Sequence, residues 1–178
     1  MSGDAVSSVS GCNSRRFSAG LLDASQGKAT QKCSLRRRKC ASDILETHSN
    51  ILISAALFPG GRAALALRKA LNPPYEPLVC DYVLDELRRK FREKFPDKAA
   101  ELDAFLHVFL DNITLVSTPE DQDPLEAMIR DVKDRPILRA ALNAHADLFL
   151  TGDMDFLESS VADPRIIGVA EFLHDTRQ

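Results

Sequence analysis

The spacing of apolar and polar residues changes character about residue 43. Before it, Ser, Gly and basic residues dominate and no apolar period is sustained, which predicts a disordered tail over residues 1–42. From residue 43 onward, short apolar runs alternate with helical stripes. Ile44-Leu45 predict a first strand. Asn50 is then expected to cap an apolar helix, Ile51 to Leu57, stopped by Pro59-Gly60-Gly61. Residues 62–71 are strong helix formers, and Asn72-Pro73-Pro74 ends them. Leu78-Val79-Cys80 predicts a buried strand.

A long amphipathic helix follows from Asp81 to about Phe95, with Leu84, Leu87, Phe91 and Phe95 on one face. Past Pro96-Asp97, Leu102, Phe105, Leu106 and Phe109 form the next stripe. Ile113 to Val116 reads as a strand and residues 117–133 as a polar loop with at most one turn of helix. A helix over 135–145, a strand over 147–150, an edge strand at Ile166-Ile167 and a last helix from Val169 to His174 complete the pattern. Strands alternating with helices predict an α/β domain over residues 43–178, three layers deep, around a mainly parallel sheet.

Composition and charge refine this picture. Hydrophobic residues make up 44% and charged residues 28%, ordinary for a globular domain. No apolar run reaches the length of a membrane span. The four cysteines show no zinc spacing, so free thiols in a reducing, cytoplasmic setting are expected. The net charge of −3 hides a split, with residues 1–42 carrying +6 and residues 43–178 carrying −9. A folded part that acidic is an unexpected partner for nucleic acid unless bound cations supply the positive field. The basic run Arg36-Arg37-Arg38-Lys39 reads first as solvated charge and second as an RNA-touching arm. The tail also has the composition of some transit peptides, and an upstream extension foreign to the domain is a third reading.

The candidate chemistry lies in acids placed near strand ends. Asp134 precedes Arg135-Pro136, a favourable helix start, so taken alone it is a cap. Gly152-Asp153 alone is turn chemistry, and Glu86 alone is a solvated acid on a charged helix. Their conjunction changes the reading. Right-handed crossovers put helix starts and strand ends on one edge of a parallel sheet, where carboxylates can share a hard divalent cation.

Four segments in this order resemble the PIN-domain ribonucleases over roughly residues 44–175. They are Asn50-Ile51-Leu52-Ile53-Ser54-Ala55, Asp81 to Leu87 with Glu86, Asp134 to Leu138 with Ala141, and Thr151-Gly152-Asp153-Met154-Asp155. A Phe-Pro-Gly-Gly loop, Phe58 to Gly61, follows the first helix. The resemblance implies a PIN-like α/β/α sandwich and a metal-dependent endoribonuclease. It implies Mg²⁺ or Mn²⁺ held by Glu86, Asp134 and Asp153, with Asp155 as a further ligand and Asp131 in reserve. Asn50 would orient a carboxylate or water, and Thr151 and Ser54 would meet substrate. Many bacterial members are toxins of toxin–antitoxin pairs, so RNA and an antitoxin are the implied partners.

One position departs from the family. Its opening Asp falls on His48 here, followed by Ser49 rather than Thr. Only a two-residue shift would let Glu46-Thr47 stand in. An acidic trio then replaces the quartet, and lowered activity is expected. A His at a strand end reads first as packing and second as a ligand for softer ions such as Mn²⁺ or Zn²⁺. The alternative is therefore a non-catalytic PIN-like domain binding RNA or protein. A different phosphohydrolase is disfavoured because the first strand offers no Asp nucleophile. Dinucleotide binding and nucleophilic hydrolysis lack their Gly-x-Gly-x-x-Gly and Gly-x-Ser-x-Gly motifs. Phe105 and Phe109 could line a homodimer surface, although core positions suit them better.

Overall fold

The structure is a computed structural model, and it describes residues 43–175. The expected tail, its basic cluster and Cys12, Cys33 and Cys40 lie outside the described residues. Five strands form one sheet: β1 (Asp43–Thr47), β2 (Tyr75–Cys80), β3 (Thr114–Val116), β4 (Leu148–Thr151) and β5 (Arg165–Gly168). The order is β3-β2-β1-β4-β5 and every pairing is parallel.

Helices cover both faces. α1 (Ser49–Leu57) and α2 (Arg62–Ala70) follow β1, while α3 (Asp81–Lys94) and α4 (Ala99–Leu110) lie on either side of a short 3-10 turn. α5 (Arg135–Asn143) precedes β4, a single turn α6 (Met154–Leu157) follows it, and α7 (Val169–His174) closes the described chain. Burial on both faces follows from the parallel pairing, because each crossover must return over the sheet. The larger core sets Leu84, Leu87 and Phe91 of α3, Leu106 and Phe109 of α4, and Ile137 and Leu138 of α5 against Val79 and Phe149. The smaller core packs Ala66 and Ala70 of α2 and Phe172 of α7 against Leu45, Leu148, Leu150 and Ile167. The predicted three-layer α/β/α sandwich is thus the observed fold, with a wholly parallel sheet. Among the described residues, no single helix is long and apolar enough to cross a membrane.

Two boundaries differ from expectation for identifiable reasons. α1 begins at Ser49, one residue before Asn50, so Asn50 lies inside the first turn and cannot be the cap. His48 holds the cap position with extended backbone and no side-chain capping bond. α5 ends at Asn143 rather than 145 because His145 adopts a φ of 54°. Its N–H then reaches Leu142 O and that of Ala146 reaches Ala141 O, which satisfies carbonyls at the helix end.

Candidate metal centre

The chain winds outward from β1 to β3, then returns to place β4 and β5 on the other side of β1. The reversal between β1 and β4 opens a crevice at their C-terminal ends, where ligands of open α/β sheets bind. His48 stands immediately after β1, and Thr151-Gly152-Asp153 forms the end of β4 and the turn beyond it. Glu86 arrives on α3 after β2, and Asp134 arrives at the start of α5.

His48, Glu86 and Asp134 each offer one ligand atom within 4.8 Å of the other two. All three are held largely out of water, with His48 only 2% exposed. Asp134 stands at the N-cap of α5 but makes no side-chain capping bond. Its carboxylate lies 3.7 Å from His48 Nε2 instead. Glu86 is likewise no solvated acid: its side chain is 10% exposed, and Ser49 Oγ donates a short hydrogen bond to Oε2. Lys90, one helical turn on, places Nζ 3.0 Å from Glu86 Oε1, and Arg89 approaches to 3.8 Å. Burial, followed by the charges of Glu86 and Asp134, raises the pKa of the neighbouring Tyr82 hydroxyl.

The other expected site residues occupy the rim or the framework. Asp153 lies outside the three-residue group; its Oδ1 accepts the Asp155 N–H at 2.8 Å and caps α6. Asp155 also lies outside the three-residue group, and its Oδ1 accepts 2.9 Å from Arg130 Nε and a shorter bond from Arg130 Nη2. Thr151 departs from substrate contact, because it is fully buried and its hydroxyl accepts the Asp153 N–H at 3.0 Å. Asn50 Oδ1 accepts the Gly152 N–H at 3.3 Å, tying the start of α1 to the same turn. Ser54 lines a depression of about 440 Å³ with Asn50, Arg62 and Gly152. Asp131 Oδ1 accepts the Lys133 N–H at 2.9 Å and so shapes its own loop.

Glu46 answers the question of register. It lies two residues before His48 on the same face of the strand, yet it is fully buried and its Oε1 accepts the Cys80 N–H at 3.3 Å. Burial pushes its carboxyl well above the usual range, and burial together with the Glu46 charge pushes the Cys80 thiol up to about 12. The residue that meets Glu86 and Asp134 is His48, with no shift in alignment. Ser49 and Lys90 escaped the sequence reading, although the i,i+4 spacing of Glu86 and Lys90 was a usable signal.

The donor set fits a divalent cation: two carboxylates and an imidazole converge, and neither His48 nitrogen has a hydrogen-bond partner among the described residues. Nitrogen and oxygen donors together suit transition ions as well as hard ones.

The sequence model of the PIN-domain family matches residues 47–155. By shape, the chain is similar to a chain of VapBC2 from Rickettsia felis, solved bound to a DNA fragment from its promoter, with a TM-score of 0.55 at 14% identity. That match covers 70% of this chain and 98% of the other. No curated protein matches the chain.

Proposed function

The chain belongs to the PIN-domain family, and from that premise we propose that it is a metal-dependent endoribonuclease. The observation that carries this reading is the convergence of His48, Glu86 and Asp134 at the C-terminal edge of a parallel sheet. Glu86 and Asp134 would hold Mg²⁺ or Mn²⁺, with Asp153 at the rim. When bound, such an ion polarises a phosphodiester and lowers the pKa of the attacking water.

The protein's own residues do the rest. Ser49 and Lys90 fix the Glu86 carboxylate, and Asn50 and Thr151 hold the turn that presents Asp153. A depression of about 480 Å³ beside Glu86 is lined by Tyr82, Asp85, Arg88, Arg89 and Arg92; Arg88 and Arg89 also face Asp85 and Glu93, and the three guanidinium groups are candidates for backbone phosphates.

We also carry over a toxin role with an antitoxin partner, acting in the cytoplasm. An apolar depression of about 450 Å³ lined by Ala55, Ala64, Leu67, Phe105, Val108 and Phe109 is a surface such a partner can use. One observation favours a second, non-catalytic reading: Lys90 already neutralises the Glu86 carboxylate.

The test incubates the full chain and His48→Asp with single-stranded RNA and Mg²⁺ or Mn²⁺. Expected are weak cleavage by the parent, stronger cleavage by His48→Asp, and none after EDTA or with Glu86→Gln. Retarded RNA without cleavage by either protein supports the binding-only reading.

A further inference from the structure

We propose that His48, Glu86 and Asp134 form a mixed imidazole–carboxylate site that prefers Co²⁺ and Zn²⁺, with Mn²⁺ next, over Mg²⁺. The inference rests on the proposed metal site and moves the preferred ion away from Mg²⁺ toward the transition series.

Three observations carry it. Each of the three residues places one ligand atom within 4.8 Å of the other two, a span that a single ion can bridge. The imidazole is 2% exposed, and neither ring nitrogen has a hydrogen-bond partner among the described residues. A buried polar ring left unsatisfied calls for an explanation in the site it borders. Its orientation supplies one: Nε2 is aimed into the corner, 3.7 Å from Asp134 Oδ1. The ring is also fixed before any ion arrives. Phe156 and Phe149 wall it at centroid distances of 5.3 and 6.2 Å, so little ordering remains to be done on binding.

Ligand chemistry then sets the preference. Mg²⁺ demands oxygen donors in near-ideal octahedral geometry, whereas imidazole nitrogen suits Zn²⁺ and its transition neighbours. Two carboxylates retain enough negative charge to hold a dication. The Lys90 and Ser49 contacts do not exhaust Glu86, because a carboxylate offers about four lone-pair sites. Asp155 lies outside this three-residue group and is paired with Arg130.

The experiment uses the full chain freed of metal by chelator. Co²⁺ binding is followed by visible d–d absorption, Mg²⁺ binding by calorimetry, and bound Mn²⁺ by pulsed electron paramagnetic resonance, which detects a directly coordinated imidazole nitrogen. The expected result is Co²⁺ binding at least about tenfold tighter than Mg²⁺, with a nitrogen coupling on Mn²⁺. His48→Asp is expected to move the Co²⁺-to-Mg²⁺ ratio at least about tenfold toward Mg²⁺ and to abolish the coupling; even outer-shell changes shift metal affinity by that much. His48→Asn, close in shape, should also lose the coupling, and thermal unfolding of both variants confirms that they fold.

An unchanged ratio in His48→Asp overturns the assignment. So does a nitrogen coupling that survives there, or Co²⁺ binding that Glu86→Gln leaves unmoved. The two readings fail separately. If neither parent nor His48→Asp cleaves RNA while the coupling depends on His48, the ribonuclease reading falls and the ion site stands. If RNA is cleaved while the ion ratio ignores position 48, the reverse holds.

Discussion

Glu126 and Glu86 are both acids held nearly out of water, and their surroundings are opposite in kind. Glu126 lies in the loop before α5 and meets Arg139 of that helix through two parallel bonds, Nε to Oε2 at 2.7 Å and Nη2 to Oε1 at 3.1 Å. Arg139 Nη1 also reaches Pro119 O at 2.8 Å, so the guanidinium clasps the whole loop. Both carboxylate oxygens of Glu126 are thereby bonded to the same guanidinium. Glu86 and Asp134 instead face an imidazole whose two nitrogens have no hydrogen-bond partner among the described residues. A satisfied buried charge pair serves the fold, whereas a surplus of ligand atoms serves something the fold itself does not contain.

The strongest way to break this contrast is Arg139→Ala. It leaves Glu126 buried without its partner and should cost about 3–5 kcal/mol of unfolding free energy, read from urea denaturation. The pH dependence has a definite sign. The hydrogen bond from Arg139 is the chief reason Glu126 titrates below the usual carboxylate range. The clasp therefore contributes fully above the unfolded pKa and is lost as pH falls through the folded one. A stability loss of less than ~1 kcal/mol at pH 7 would mean that the loop is held some other way.

Asp134→Asn should give the converse result. Cleavage is expected to fall by about 10²–10³, the scale of removing one preorganised electrostatic group. Stability should hold nearly steady, because the Asp134 side chain makes no capping bond and its near contact is with His48 of the candidate site. A large loss of stability would move Asp134 into the structural class with Glu126.

Glu46 offers a third, intermediate case. It is as buried as Glu126, but only one of its oxygens is bonded and burial raises its pKa. A raised folded pKa confers stability below the unfolded value that is lost as pH climbs toward the folded one. Glu46→Gln should thus raise the thermal midpoint at pH 8, by about 1 kcal/mol or a few degrees, and the gain should fade toward pH 4. A gain independent of pH would point to packing rather than charge. The smallest effect belongs to Arg130→Ala. Arg130 is 72% exposed, so losing its pair with Asp155 should leave the chemical-denaturation midpoint nearly unchanged.

These contrasts mark how far the sequence could be read. The alternation of strands and helices was legible because each element carries its own period: Leu84, Leu87 and Phe91 repeat as a helix must, and Leu148 to Thr151 is apolar and short as a buried parallel strand must be. The four segments that resemble the family were legible for the same reason, since they sit on those elements. The chemistry of the acids was not. Asp134 looked like a cap and Asp153 like turn chemistry, and the structure exchanges them: Asp153 accepts a helix N–H, and Asp134 does not. The pairing of Asp155 with Arg130, 25 residues away, was equally invisible in the sequence.

By itself, then, the sequence determined an α/β chain with acids delivered to one sheet edge, because local periodicity fixes elements and crossover rules fix which ends they share. The tertiary structure decided which acids meet, and that the opening position of the site is His48 rather than Glu46. Two residues along a strand separate them by about 6–7 Å on one face, and only the start of α1 determines which of them ends beneath the core and which reaches Glu86 and Asp134.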